Sequence, residues 1–281
     1  IRDTEIETDM HGWTEGIFGA AGMKSGQVNI VLVQSPEINA FVAGGSNIFI
    51  YSGLIQKTEN AGEIAGVIAH ELGHIAGGHL TRTGDVAKHA SFEAMMGAIV
   101  GIGAAIATGD SSAAVAGVAI GRGQAMNGYL AHSRIQESSA DQAGYRFLTG
   151  ANVSPVGLPS FLEKLASQEL LPTSQQSLYA RTHPMSRDRV DTLEAKLKES
   201  PLKDKPLPAE CADQYARVKA KLIAFVSPQQ VMSLYPSSDT SIPARYARAI
   251  ASYRMNHMEA ANKEIDGLLV TEPNNPYFWE L

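Results

Sequence analysis

Apolar positions recur at helical spacing from Thr4 to Met23, which predicts an amphipathic helix. The alternation that follows, Val28-Asn29-Ile30-Val31-Leu32-Val33, predicts a strand. Two further extended runs, Asn39–Ala43 and Asn47–Tyr51, flank Gly44-Gly45-Ser46, a hairpin or bulged-turn signal. From Glu63 to His79 the 3.6-residue period returns, with Ile64, Val67, Ile68, Leu72 and Ile75 on one apolar face. Asn127–Thr149 and Val156–Ser167 predict two more helices, the second opened by Ser154-Pro155. A Pro- and Lys-rich joint over 200–208 then marks a boundary, and everything beyond it reads as helical. The pattern predicts an α+β, mainly α chain: a unit over 1–205 with a small sheet, then a helical region over 206–281.

The stretch Ala94–Ala125 breaks this rhythm with Ala, Gly, Ile and Val. Its apolar halves hold 16 uncharged residues before Asp110 and 11 from Ser111 to Gly121. Both fall short of the roughly 17–25 that cross a bilayer as a helix. The stretch is expected to form a helical hairpin, or a flap that touches a partner or a membrane surface.

Composition narrows the chemistry. With 44% hydrophobic and 19% charged residues in 281, the chain can bury a core. A net charge of -6 with scattered Lys and Arg provides no basic footprint for nucleic acid. Cys211 stands alone, which excludes an internal disulfide framework and a cysteine-rich metal site. The first residue is Ile1 rather than Met, and a removed signal peptide is the expectation.

The chemical signal lies inside the helix over 63–79, where His70-Glu71-Leu72-Gly73-His74 is an H-E-x-x-H. Residues four apart share a helix face, so both imidazoles can address one ion, while Glu71 lies about 100° around, able to take a proton from water on that ion. A catalytic zinc needs a third protein ligand. His79 is one residue short of the longer histidine motif and, on a continuous helix, faces away from His70. Glu137 is the better candidate, because Glu137 and Asp141 share a helix face, so one can bind metal while the other holds a ligand imidazole by its second nitrogen. Thr182-His183-Pro184, with Arg189 six residues after the histidine, adds a group for the oxyanion or for the open metal position, with Arg189 bracing it.

These motifs, in this order and spacing over roughly residues 8–195, resemble the gluzincin metallopeptidases that include HtpX-like, Oma-type and CAAX prenyl protease-like enzymes. The resemblance implies a single Zn²⁺ held by His70, His74 and Glu137, with Glu71 as general base. It implies Asp141 behind the ligands, His183 as oxyanion or switch histidine, and Arg189 with it. Asn39, Ala40, Phe41 and Val42 are similar to the family's edge strand, along which a peptide substrate lies. The absence of long apolar spans makes the chain similar to the soluble periplasmic BepA-like branch, in which tetratricopeptide repeats follow the peptidase. Its single cysteine departs from that branch, because it cannot tether the two parts. Ala249, Ala261 and Pro273, with Asn256 at the turn, are similar to one such repeat, and since about three are needed for a stable stack the native chain is expected to continue beyond Leu281.

The resulting expectation is a periplasmic zinc endopeptidase acting on misfolded or unassembled envelope proteins, with assembly partners met through the C-terminal helices and peripheral membrane contact through 94–125. The alternatives are a chaperone or assembly factor that works mainly by binding, with proteolysis gated or rare, and a different hydrolase, such as an amidase, on the same scaffold.

Overall fold

A computed structural model describes residues 1–24, 26–79 and 133–281. The predicted hairpin or flap over 94–125 lies outside the described residues.

The first helix, α1 (Thr4–Ala20), starts where the Asp3 carboxylate accepts the Ile6 amide, and buries Ile6, Met10, Trp13, Ile17 and Phe18. It ends three residues earlier than its apolar period suggests, because Gly22 takes a positive φ of 74° and reverses the chain. Strands β1 (Asn29–Val33), β2 (Ala40–Ala43) and β3 (Asn47–Tyr51) form one sheet in the order β1-β3-β2. β3 is central, parallel to β1 with Val31 opposite Phe49, and antiparallel to β2 with Phe41 opposite Phe49. β2 is therefore an edge.

After α2 (Ser52–Lys57), the helix α3 (Ala61–Gly77) opens on Asn60, whose side chain accepts the Glu63 amide, while the Glu63 carboxylate accepts the Glu59 amide. Every residue of α3 from Ala61 to Gly73 is buried. Such a helix is enclosed on all sides, and its charged members need partners. Glu63 finds Ser160 and Lys164 on α5 (Gly157–Ala166). The helix α4, described over 133–150, packs along the other side of α3 with Ala140, Ala143 and Leu148 turned inward. The short α6 (Leu178–Thr182) and the longer α7 (Arg187–Glu199) close this layer.

Helix α8 (Ala209–Val226) serves two cores. Tyr215, Val218 and Leu222 join the large core built on α1, the sheet and α3. Ala220, Ile223 and Ala224 join a second core with α9 (Val231–Leu234), α10 (Ile242–Arg254), α11 (Met258–Thr271) and α12 (Pro276–Glu280). Small residues on α10 and α11, among them Ala247, Ala251 and Ala261, let that helix pair approach, and Glu264 ties it by accepting from Arg245 and Arg248. Polar bonds also lock the halves together. Lys221 on α8 and Tyr246 on α10 both donate to the Glu5 carboxylate at 2.8 Å, and Tyr215 donates to Thr58 O at 2.6 Å.

Candidate active site

α3 carries His70, Glu71 and His74, α4 carries Glu137 and Asp141, and the turn after α6 carries His183. The approach of α4 to α3 depends on Gly73, the last spacer residue of the H-E-x-x-H. A Cβ there would stand 2.6 Å from Ala140 O. Gly73→Ala is therefore expected to push the Glu137-bearing helix away and cost about 1–3 kcal/mol of stability, read by urea unfolding, together with a weaker zinc titration.

The side chains converge. One ligand atom from each of His70, His74, Glu137 and His183 falls in a group whose members all lie within 4.8 Å of one another. His70 Nε2 is 3.1 Å from His74 Nε2, and Glu137 presents its two oxygens at 3.3 Å, one to each imidazole. His183 Nδ1 is 3.4 Å from His70 Nε2 and 3.3 Å from Glu137 Oε1. A tetrahedral ion with bonds of about 2.05 Å has ligand-to-ligand edges of about 3.3 Å, so these separations fit a zinc-sized ion.

The outer nitrogens are each engaged. His70 Nδ1–H donates to Asp141 Oδ1 at 2.8 Å, and Asp141 receives both Arg189 Nε and Nη2, at 2.7 and 2.8 Å. His74 Nδ1 lies 2.9 Å from His79 Nδ1. His183 Nε2–H donates to Ala40 O at 3.1 Å. A hydrogen bond at one ring nitrogen fixes the tautomer that turns the other nitrogen's lone pair inward, and all three rings are set in this way.

Charge points the same way. Glu71, Glu137 and Asp141 are buried together with one compensating guanidinium, Arg189, which leaves two negative charges to be met when the imidazoles are neutral. Burial opposes a charge on His70, yet Asp141 and Glu137 push it up to about 10. Burial would also raise Glu137, but the His183 charge and bonds from the imidazoles hold it well below the usual carboxylate range. His74 is lowered, chiefly by burial. Both oxygens of Glu71 and one of Glu137 lack a hydrogen-bond donor among the described residues, although His183 Nε2 stands 3.4 Å from Glu71 Oε1. Buried anions of this kind match a site for a divalent cation.

His79 departs from its expected position. Gly78 takes φ 62°, ends α3 and turns His79 back onto His74 rather than away from the motif. It is still no ligand to the central group; it stands behind one. Tyr179 on α6 is a member of the site with no sequence motif to mark it. Its ring stacks on His183 at 4.4 Å between centroids, and its buried hydroxyl has no partner among the described residues. Of the expected edge-strand residues, Ala40, Phe41 and Val42 lie on β2, while Asn39 precedes it and accepts from Thr182 Oγ1. Arg189 braces Asp141 and donates to Pro184 O, which makes it a positioning residue.

Residues 5–197 match Peptidase family M48. The chain belongs to that family. The beta-barrel assembly-enhancing protease of Yersinia pestis is 26% identical over 259 residues, covering 89% of this chain and 52% of that protein. The Escherichia coli metalloprotease LoiP is 31% identical over 170 residues, 58% of this chain and 60% of LoiP. A mitochondrial metalloendopeptidase of Schizosaccharomyces pombe is 26% identical over 187 residues, 66% of this chain and 52% of that protein. The chain thus spans about half the length of the assembly-enhancing proteases it matches. The M48 match covers α1 through most of α7, and so takes in every residue of the site.

Proposed function

We propose that this M48 chain is a zinc endopeptidase for misfolded or unassembled envelope proteins of the periplasm, with His70, His74 and Glu137 holding the ion. The observation that carries the reading is the triangle of His70 Nε2, His74 Nε2 and Glu137 at 3.1–3.3 Å beside the unpartnered Glu71 carboxylate. Zinc bound there supplies Lewis acidity, which polarises a peptide carbonyl and acidifies water. Glu71 takes the proton of the attacking water and returns it to the leaving amine. Asp141 and Arg189 fix the His70 ring, and His79 fixes that of His74. His183, with Nδ1 against His70 and Glu137, serves as a gate over the ligand group. The named role of the assembly-enhancing relatives supports the substrate class. No helix of the described residues is long and apolar enough to cross a membrane.

The C-terminal helices, with α8 shared between the cores, act in this reading as a tetratricopeptide-like platform for substrate or assembly partners, and 94–125 as the candidate membrane contact. The reading keeps 1–205 as the catalytic unit and 206–281 as the platform. Because Tyr215, Val218 and Leu222 belong to the large core, truncation after 208 would damage both parts, so binding and hydrolysis are better separated by point changes. The expected result is cleavage of casein by the zinc-loaded chain, its loss on chelation and its return with added zinc, followed by gel electrophoresis. Cleavage that persists in metal-free protein overturns the proposal.

A further inference from the structure

Ala40 meets two demands that exclude each other. The Tyr51 amide donates to Asn39 O at 3.0 Å across the β2–β3 ladder, and the alternation of an antiparallel pair then turns the N–H and C=O of Ala40 and Val42 away from β3. These outward groups are the ones an added strand pairs with. Part of this edge is already taken by the chain itself. Tyr179 N–H donates to Ile38 O at 2.9 Å, and His183 Nε2–H donates to Ala40 O at 3.1 Å.

The same imidazole closes the ligand group, because its Nδ1 stands 3.4 Å from His70 Nε2 and 3.3 Å from Glu137 Oε1. Both contacts come from one rigid ring, so they are made and broken together. The His183 amide donates to Tyr179 O at 2.7 Å, which anchors the backbone while the side chain turns about its own bonds. Losing the Ala40 acceptor removes the hydrogen bond that fixes the tautomer with Nδ1 directed inward.

We infer that the substrate's own backbone opens the site: an N–H of an extended segment adding to β2 takes the Ala40 carbonyl from His183, and the imidazole leaves the His70–Glu137 position with it. This rests on the peptidase reading and deepens it, because it names what the enzyme selects. The selected feature is an unpaired extended segment with a free backbone N–H, whatever its side chains. Helices and strands paired on both edges have no such group to offer and leave the gate shut. One hydrogen bond is exchanged for another, so the coupling is a few-fold effect in affinity rather than an all-or-none block.

The test uses the zinc-loaded full chain carrying Glu71→Gln, so that the probe is not cut. The probe is an acetylated octapeptide of alternating Thr and Val, with an analogue N-methylated at every amide as control. Affinity is read by fluorescence anisotropy and the His183 ring by ¹⁵N NMR. The parent peptide is expected to bind and to shift the His183 ring resonances, and the N-methylated analogue to do neither. Adding His183→Ala, or His183→Phe, which keeps a ring against Tyr179 but has no N–H, is expected to tighten peptide binding about two- to tenfold. Equal affinity in both variants, or bound peptide with unmoved His183 resonances, overturns the inference. So does a wild-type enzyme that cuts casein while its Glu71→Gln form binds no peptide. Failure of the peptidase reading looks different: no casein cleavage by wild type, with peptide binding and the His183 shift intact.

Discussion

Glu71→Gln is expected to lower peptide hydrolysis by about 10²–10⁴-fold, the range in which a positioned general base contributes. The side chain is buried, neither oxygen has a hydrogen-bond donor among the described residues, and none of the contacts that join His70, His74 and Glu137 runs through it. The amide is nearly isosteric, so zinc content should stay at one ion per chain. Removing a buried carboxylate without a partner should leave the melting temperature unchanged or raised. Steady-state cleavage of a fluorogenic peptide, metal analysis and thermal unfolding on the same preparation check the three parts. Full activity with intact zinc would remove Glu71 from the mechanism.

The contrast between Glu71 and His79 shows where sequence reasoning reaches. His70, Glu71 and His74 are five consecutive positions of one helix, so the 3.6-residue period alone sets their relation. Glu137 and Asp141 are likewise one helical turn apart, and the family resemblance supplied the link between the two helices. His79 lies only five residues beyond His74, yet its position turns on the left-handed Gly78, a backbone choice that periodicity does not encode. Tyr179 has no motif because it acts by stacking, a long-range packing outcome. The bond from His183 to Ala40 spans 143 residues and depends on how the loop after α6 meets the sheet. The three strands were readable from alternation and the Gly44-Gly45 turn, but the central place of β3 comes from a parallel pairing with β1 that no local signal fixes. The Pro-rich joint was visible, whereas the use of α8 by both cores was not, since opposite faces of one amphipathic helix can serve two partners.

Asp141 should show the largest stability effect, because it answers to two buried groups at once. Its carboxylate receives two bonds from Arg189 and one from His70. Removing one member of a buried pair leaves the other charge uncompensated, so Asp141→Ala is expected to cost about 3–5 kcal/mol. It should also weaken zinc about 10–100-fold, through the freed His70 ring. Asp141→Asn keeps an acceptor for His70 Nδ1–H but not the charge facing Arg189, and should fall between the two. The acid limb gives an independent check. Burial alone would raise Asp141, but Arg189 and His70 hold it below its ordinary value of 3.8. A depressed carboxylate contributes stability that is fully present above the unfolded value and is lost as pH falls through the folded one. The gap between wild type and Asp141→Asn, measured by urea unfolding of metal-free protein, should therefore be constant above about pH 5 and narrow as the pH drops below about 4. A gap that stays constant down to pH 2 would mean that the Asp141 charge is not what Arg189 requires.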